Sequence, residues 1–192
     1  MFRNGAEPSR RPDQSFMENI VQLERQVKEI YKSVLGPLSR KTGFKIPVHL
    51  EDAPRLPTVL LLGNHSSGKS SFINYLTESN LQKTGLAPTD DGFTIITYGE
   101  TVEEADGQTA VTHPDLAFAS LRELGPVFLS RLRLKAYPHE LLKSVTLVDS
   151  PGMIDATASG NTRGYDFANA VRAFAERADL ILFFFDPDKP GT

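Results

Sequence analysis

The chain has 192 residues, a formal net charge of -3, 40% hydrophobic residues and 23% charged residues. These values are typical of a globular protein with one main domain, and the small net charge gives no general attraction for nucleic acid. The absence of cysteine excludes disulfides and thiol chemistry. The N-terminus lacks the apolar run of a secretory signal, and the longest apolar run, Leu180 to Phe185, is too short to cross a bilayer. We therefore expect a soluble or peripheral protein.

The N-terminal region predicts a tail followed by a helix. Residues 1–14 are polar and rich in Arg, Pro and Gly, which favours a flexible tail. A helix is predicted from Ser15, because Ser15 and Glu18 have the spacing of a capping box. Its apolar residues form a stripe at steps of three and four: Ile20, Leu23, Val27, Ile30 and Val34. The stripe packs either on the globular domain of this chain or on a helical element supplied from elsewhere.

The Gly36-Pro37 pair is predicted to end this helix, and residues 37–56, with three prolines, predict an irregular connector. The chain thus divides into a tail over residues 1–14, a helix and connector over 15–56, and a globular domain over 57–192.

Within residues 57–192, short apolar segments alternate with helix-like segments. The predicted strands are Thr58–Leu62, Phe93–Tyr98, Leu132–Tyr137, Val145–Val148 and Leu180–Phe185, the first and last as strands buried on both faces. The predicted helices are Lys69 to about Thr77 and Asp166–Arg177. Residues 99–128 are mixed, and their acidic stretch, Glu100, Glu103, Glu104 and Asp106, predicts a solvated loop. The alternation predicts an α/β fold with a largely parallel sheet and flanking helices.

One motif carries the strongest chemical signal. Residues 63–70 read GNHSSGKS and match the P-loop pattern G-x-x-x-x-G-K-[ST], between a predicted strand and a predicted helix. Such a loop binds phosphates through backbone N–H groups and the N-terminus of the helix. Lys69 is expected to reach the β- and γ-phosphates, and the Ser70 hydroxyl is expected to ligate Mg²⁺. The candidate nucleotide-binding residues of this loop are Gly63, Asn64, His65, Ser66, Ser67, Gly68, Lys69, Ser70 and Ser71.

A second element follows the strand SVTLV, where Asp149 and Gly152 give a D-x-x-G pattern. In P-loop NTPases an acidic residue at this place holds Mg²⁺ through water, and a backbone N–H beyond it can meet the γ-phosphate. We therefore expect Asp149 to be a metal ligand and Gly152 to contact nucleotide.

A third element would be a switch threonine that completes the Mg²⁺ shell when the γ-phosphate is present. Thr84, Thr89 and Thr94 all lie in the right interval. Spacing favours Thr89, which lies in loop sequence, whereas Thr94 lies in strand-like sequence where a structural role is favoured.

Together these segments resemble the dynamin superfamily. The similar segments are VLLLGNHSSGKSSFINYL, APTDDGF, LVDSPGMID and RGYDFANAVRAFAERADLILFFFD. Within the superfamily they are most similar to the EH-domain-containing ATPases and to sarcalumenin, from about residue 25 to residue 190. The RGYDF segment, residues 163–167, is the most specific part of the resemblance.

The resemblance implies a P-loop NTPase of the dynamin G-domain type, preceded by an amphipathic helix and truncated at its C-terminus. It implies slow Mg²⁺-dependent hydrolysis of GTP or ATP, homodimers or larger oligomers, membrane remodelling and trafficking, and no nucleic-acid partner. The implied location is cytoplasmic and peripheral, at the endosomal or plasma membrane. It favours Thr89 as the switch threonine and metal ligand, and Ser66 as the serine that helps to order the attacking water. Ser66, Lys69, Thr89 and Gly152 are the implied catalytic set.

Two positions depart from better-known patterns. His65 stands where dynamins have glutamine and the EH-domain group has an aromatic residue. Met153 stands where a Ras-like enzyme would have a water-orienting glutamine. An apolar residue at the position of Met153 is typical of the family that this sequence resembles, and it implies slow intrinsic turnover.

The sequence leaves the base open between GTP and ATP, because no N/T-K-x-D motif follows the strand that ends near Asp186. If the chain is truncated, apolar surface near Phe183 to Phe185 is expected to be exposed, and this chain alone could be inactive. The alternative function is a non-hydrolysing, sarcalumenin-like nucleotide-binding scaffold. The signal sequence and highly acidic region of sarcalumenin are not seen here, which weighs against that alternative.

Overall fold

The structure, a computed structural model, describes residues 14–43, 56–82, 92–113, 116, 118–153 and 163–186. The chain divides into two compact units, Met1–Pro54 and Arg55–Thr192. Within the described residues, no helix combines the length and the hydrophobicity needed to cross a bilayer.

The first unit is helical over all its described residues except Gly43. Helix α1 spans Gln14–Ile30, one π-helical turn spans Tyr31–Leu35, and helix α2 spans Gly36–Thr42. The predicted helix therefore exists, but the prediction that Gly36-Pro37 ends it was wrong, as was the irregular connector over residues 37–42. Of the tail predicted over residues 1–14, Gln14 belongs to α1 and residues 1–13 lie outside the described residues, as do residues 44–55 of the predicted connector. The surface on which the apolar stripe packs stays a prediction.

The π-helical turn explains why the helix continues through Pro37. The N–H of Gly36 bonds to the carbonyl of Tyr31, five residues back, so the hydrogen-bond pattern shifts before the proline. Pro37 then stands in the first turn of α2, a position at which helices tolerate proline. Gly43, at φ 71°, ends the helix with its N–H bonded to the carbonyl of Ser39.

The described residues of the second unit form a six-stranded sheet. Its strands are β1 (Thr58–Gly63), β2 (Thr94–Tyr98), β3 (Glu103–Asp106), β4 (Arg133–Tyr137), β5 (Thr146–Asp149) and β6 (Leu180–Phe184). Their order is β3-β4-β2-β5-β1-β6. Strand β1 pairs in parallel with β5 and β6, and β2 pairs in parallel with β4, whereas β2–β5 and β3–β4 are antiparallel. The predicted α/β fold with a mostly parallel sheet is confirmed.

Helices cover both faces of this sheet. Their bounds are α3 Lys69–Leu76, α4 Gly107–Thr112, α5 Pro126–Arg131 and α6 Phe167–Ala175, with 3-10 turns at Ala119–Leu124 and Glu140–Lys143. The alternation of side chains along a strand places Leu60 and Leu62 in the larger core and Leu61 in the smaller one. Both predicted helices are present and slightly shorter than predicted. The helix predicted from Lys69 is α3, and the helix predicted over Asp166–Arg177 is α6.

The larger core is dominated by aromatic rings. Phe174 of α6 stacks on Phe93 with ring centroids 4.7 Å apart and also contacts Phe118 and Phe128. All four rings are fully buried. The smaller core, on the opposite face, joins α3 to the sheet through Ile73. Aromatic packing therefore fixes α6 against the sheet and, through α6, the RGYDF segment that precedes it.

The acidic stretch was predicted as a solvated loop, but Glu103–Asp106 forms the edge strand β3. An edge strand needs backbone pairing on one side only, so its charged side chains stay in solvent while the backbone pairs with β4. Asp106 then caps α4 by accepting from the Thr109 N–H at 2.9 Å. This short helix was not predicted.

Strand β6 was predicted to be buried on both faces, and this was wrong, because it lies at the other edge of the described sheet. Leu180, Ile181 and Phe183 are about half exposed, and Phe185 is 70% exposed. The expectation of exposed apolar surface near Phe183 to Phe185 is therefore confirmed.

Candidate functional site

The P-loop connects β1 to α3, as the motif predicts. Strand β1 ends at Gly63 and α3 begins at Lys69. A Cβ on Gly63 would lie 2.5 Å from the carbonyl oxygen of Phe184, so only glycine lets the loop leave the sheet here. Gly68 has φ +98°, which favours glycine as well. These two glycines give the loop the compact shape that a phosphate cradle requires.

The side chain of Lys69 is buried along the loop. Its Nζ donates to the carbonyl of Gly63 at 3.0 Å and to the carbonyl of Asn64 at 2.9 Å. These two carbonyls hold the ammonium group against the backbone of the loop. An anionic ligand in the loop would offer it a stronger, charge-assisted partner.

The D-x-x-G turn lies directly beside the P-loop. Strand β5 runs parallel to β1, and Asp149 pairs in register with Leu61. The N–H of Ser150 donates to the carbonyl of Leu61, and the N–H of Met153 donates to the carbonyl of Gly63. Because β1 and β5 are parallel, both strands end at the same edge of the sheet, and the two motifs meet there. Ligands of open α/β sheets bind at this edge, beyond the carboxyl ends of the strands.

Gly152 and His65 are in close contact. A Cβ on Gly152 would lie 2.6 Å from the backbone nitrogen of His65. His65 is half-buried and its backbone forms part of the contact between the P-loop and the D-x-x-G turn. Where dynamins have glutamine and the EH-domain group has an aromatic residue, this chain thus has a histidine, and it lies at the junction of the two motifs.

Ser70 and Asp149 form the candidate metal pair. The Ser70 hydroxyl donates to Oδ2 of Asp149 at 3.3 Å. The other carboxylate oxygen, Oδ1, is buried and has no hydrogen-bond partner among the described residues. Mg²⁺ prefers oxygen ligands, and a buried carboxylate oxygen without a partner beside a hydroxyl is a fitting place for one. The residues present therefore fit a magnesium ion.

Burial raises the pKa of Asp149. The hydrogen bond from Gln82, the charge of Lys69, the hydrogen bond from Ser70 and the charge of Lys135 all oppose this rise. Removal from water outweighs these four favourable contacts, so the carboxylate lacks full charge compensation in the absence of a cation.

The other predicted P-loop residues differ in environment. The hydroxyls of Ser67 and Ser150 are buried and have no hydrogen-bond partner among the described residues. Ser66 is exposed, and its φ of +60° is rare for a residue with a side chain. Ser71 is exposed on α3. Contacts of Ser66, Ser67 and Ser71 with nucleotide stay predictions.

The candidate switch threonines are only partly described. Thr84 and Thr89 lie outside the described residues. Thr94 lies in β2, is buried, and pairs with Asp149 across the antiparallel β2–β5 ladder. The strand placement of Thr94 agrees with the structural role favoured for it, and the assignment of Thr89 stays a prediction.

Among the described residues, sequence reasoning missed two that contact the site and one that supports the first of them. Gln82 donates to Oδ2 of Asp149 at 2.7 Å, and Lys135 donates to Oε1 of Gln82 at 2.7 Å. Arg163, inside RGYDF, donates to the carbonyl of Gly152 at 2.7 Å. The strand sequence RLKAY gave no signal for this network, because basic residues at alternate positions are typical of a strand with one solvated face.

Comparison with known proteins matches residues 59–192 to a family model described as the dynamin family. The chain is 37% identical to EH domain-containing protein 2 of Rattus norvegicus over 179 residues, which cover 90% of this chain and 33% of that protein. It is 35% identical to EH domain-containing protein 3 of Homo sapiens over 192 residues, covering 96% of this chain and 35% of that protein. The chain thus spans about a third of the length of these curated relatives.

A solved structure described as an oligomerised bacterial dynamin pair is also similar. The TM-score is 0.46 and the identity 14%, over 93% of this chain and 29% of that chain. The family assignment rests on the family model and the curated relatives, together with the P-loop and D-x-x-G geometry described above. The chain belongs to the dynamin family, in which it is close to the EH-domain-containing proteins.

Proposed function

We propose that this chain binds a nucleoside triphosphate with Mg²⁺ and hydrolyses it as a dynamin-like NTPase. The observation that carries the proposal is the contact between Ser70 and Asp149 at the edge where β1 and β5 end, with Oδ1 of Asp149 buried and unpaired among the described residues. This contact joins the P-loop to the D-x-x-G turn, which are the two parts that phosphoryl transfer requires to be adjacent.

Each part of the site has a proposed task. The backbone of residues 63–70 and the N-terminus of α3 bind the phosphates, and Lys69 exchanges its carbonyl partners for phosphate oxygens. Ser70, Asp149 and Thr89 hold Mg²⁺, which when bound neutralises charge on the β- and γ-phosphates. Gly152 offers its N–H to the γ-phosphate, and Ser66 helps to orient the attacking water. Catalysis here is positioning and charge stabilisation, so the site needs no covalent intermediate.

Relatives of this chain are EH-domain-containing proteins, and we propose that it shares their family's coupling of hydrolysis to assembly. Self-association would complete the site in a neighbouring copy, and the working location would be the cytoplasmic face of the endosomal or plasma membrane. GTP and ATP are both candidate substrates. We expect turnover to be slow without a membrane, because Met153 offers no group to orient water.

The direct test is turnover of GTP and of ATP by the protein, with and without vesicles of phosphatidylcholine and phosphatidylserine. We expect slow Mg²⁺-dependent release of phosphate from one nucleotide, stimulated by vesicles and abolished in Lys69→Ala. Lys143→Ala, which alters an exposed lysine paired with Glu140, is the matched control. Mg²⁺-dependent binding without any turnover would instead favour the non-hydrolysing scaffold.

The threonine assignment has its own test. Thr89→Ala should weaken Mg²⁺-dependent binding of a non-hydrolysable triphosphate but leave binding of the diphosphate unchanged, because the switch residue responds to the γ-phosphate. Thr84→Ala should behave like the wild type in both assays. The same loss in Thr84→Ala and none in Thr89→Ala would move the assignment to Thr84.

A further inference from the structure

A buried polar network lies behind the candidate metal carboxylate, and the nucleotide-binding motifs do not account for it. Its members are Asn74 on α3, Gln82, Lys135 on β4, and Asp149 on β5. Gln82, Lys135 and Asp149 are all buried. Buried polar groups are costly unless they are hydrogen-bonded, so a network of this size at a proposed ligand site calls for a functional explanation.

Gln82 is held from several directions at once. Its backbone N–H donates to Oδ1 of Asn74 at 2.8 Å, and its carbonyl accepts from Nδ2 of the same side chain at 2.8 Å. This two-way contact fixes the backbone of Gln82 to α3. The side chain of Gln82 therefore extends from a backbone position that is fixed relative to α3.

The side-chain amide of Gln82 is oriented by Lys135. Nζ of Lys135 donates to Oε1 of Gln82 at 2.7 Å and to the carbonyl of Leu81 at 2.9 Å. Because an ammonium group can only donate, it fixes the amide with oxygen toward Lys135 and nitrogen toward Asp149. Nε2 of Gln82 then donates to Oδ2 of Asp149 at 2.7 Å.

The two oxygens of Asp149 are thereby made unequal. Oδ2 accepts from Gln82 and from Ser70, whereas Oδ1 has no hydrogen-bond partner among the described residues. We infer that Gln82, oriented by Lys135 and Asn74, is a positioning residue that fixes the Asp149 carboxylate and leaves Oδ1 available for the magnesium of a bound nucleotide. This inference rests on the proposed function.

Metal-ligating carboxylates commonly depend on such supporting hydrogen bonds, whose loss typically costs about 10- to 100-fold in metal affinity. Gln82 contacts neither the backbone of the P-loop nor the glycine of the D-x-x-G turn in the hydrogen bonds described. Removal of the Gln82 side chain should therefore raise the Mg²⁺ concentration needed for nucleotide binding and leave the P-loop backbone that binds the phosphates unchanged.

The test measures binding of a fluorescent non-hydrolysable triphosphate while Mg²⁺ is titrated. Gln82→Met keeps the length of the side chain and removes both polar atoms. We expect the Mg²⁺ concentration at half-saturation to rise about tenfold or more, with nucleotide affinity at saturating Mg²⁺ within about twofold of the wild type. Gln108→Leu, at an exposed glutamine on α4, should show no change.

Two further variants keep the inference falsifiable if Gln82→Met folds poorly. Gln82→Asn retains an amide but is one methylene shorter, so its donor falls short of Asp149 and it should show the same shift. Lys135→Met should also raise the Mg²⁺ requirement, and its effect should be less than additive with Gln82→Met, because Lys135 acts largely through Gln82. Melting temperatures in EDTA would identify any variant that is unfolded.

The outcomes separate the inference from the function on which it rests. If the wild type shows no Mg²⁺-dependent binding, the proposed function fails and the inference fails with it. If the wild type binds and the folded Gln82 variants need no more Mg²⁺ than the wild type, the inference alone is overturned. A uniform loss of nucleotide affinity at every Mg²⁺ concentration would also overturn it, since that pattern indicates a merely structural role.

Discussion

The guanidinium of Arg163 donates a 2.7 Å hydrogen bond through Nη2 to the carbonyl of Gly152. The same group lies 4.5 Å from the centre of the Phe167 ring, and Arg163 is buried. One side chain thus connects the RGYDF segment and α6 to the D-x-x-G turn. This contact gives a physical reason for the segment that most clearly marks the family: it supports the turn that is proposed to meet the γ-phosphate.

Arg163→Ala is expected to lower both stability and nucleotide affinity. A hydrogen bond from a charged group contributes about 1.5–3 kcal/mol, and a cation–π contact adds about 0.5–1 kcal/mol. We expect a loss of about 2–4 kcal/mol in the free energy of unfolding, measured by urea denaturation. Arg172→Ala, at an exposed arginine on α6, should change it by less than about 0.5 kcal/mol. Equal effects of the two variants would show that the contact with Gly152 contributes nothing.

Gly152→Ala should disturb the junction of the two motifs by crowding alone. The new Cβ would lie 2.6 Å from the His65 nitrogen, so the turn or the P-loop must move. Overpacking of this kind costs about 1–3 kcal/mol, and a displacement of about 1 Å at a reacting centre can cost about 100-fold in rate. We expect a lower melting temperature and a large loss of turnover.

Gly125→Ala is the matched comparison for Gly152→Ala. Gly125 has φ +87°, and no described atom lies within 4 Å of the place that a Cβ would take, so alanine there costs backbone strain and no crowding. With ψ at 169°, Gly125 has a backbone conformation that is populated essentially by glycine alone, and such strain costs about 1–3 kcal/mol. The variant should lower the melting temperature and leave nucleotide binding unchanged. Normal turnover in Gly152→Ala would contradict the proposed contact between the two motifs.

Asp149→Asn should stabilise the protein at neutral pH when magnesium and nucleotide are absent. Burial raises the pKa of Asp149, so the folded protein holds this proton more tightly than the unfolded chain does. The stability linked to that proton is fully present below the unfolded pKa and is lost as pH rises through the folded pKa. The charged carboxylate therefore destabilises the cation-free protein near pH 7, and the amide removes this cost.

Melting temperatures in EDTA across the pH range test this sign. The advantage of Asp149→Asn should be largest near neutral pH and should shrink as pH falls below the folded pKa of the carboxyl. A variant that is less stable than the wild type near pH 7, with the difference growing as pH rises, would contradict the prediction. With Mg²⁺ and nucleotide present, Asp149→Asn should instead bind more weakly.

Phe174→Ala should be among the most destabilising substitutions in the larger core. Its ring is fully buried and contacts Phe93, Phe118 and Phe128. Truncating such a ring costs about 3–5 kcal/mol, because the cavity is not refilled. Tyr75→Ala, at a ring that is 80% exposed, should cost less than about 0.5 kcal/mol in the same denaturation experiment. A small effect of Phe174→Ala would show that the aromatic core is loosely packed.

The two phosphate-binding motifs could be predicted from sequence because each is contiguous and has fixed spacing. The strand before the P-loop and the strand before Asp149 were also clear, since buried parallel strands are continuous apolar runs. The network behind Asp149 could not be predicted in this way. Gln82 lies 67 residues from Asp149 and 53 residues from Lys135, and only the order of strands brings them together.

The errors in secondary structure also have physical causes. Strand β3 is acidic and was missed because an edge strand is fixed by its backbone and needs few apolar side chains. Helix α2 was missed because a π-helical turn allows the helix to pass Pro37, and local sequence rules assume an unbroken α-helical pattern. In both cases the hydrogen bonds of the backbone outweigh the local preference of the side chains.

We propose that the P-loop and Asp149 form one Mg²⁺-dependent triphosphate site. Its most direct measurement is calorimetric titration of the protein with non-hydrolysable analogues of GTP and ATP, in Mg²⁺ and in EDTA. We predict that at least one analogue binds in Mg²⁺, that EDTA weakens binding strongly, and that Lys69→Ala loses about 2–5 kcal/mol of affinity while Lys143→Ala loses none. Failure of both analogues to bind in Mg²⁺, or equal binding by Lys69→Ala and the wild type, would show that these residues do not form such a site.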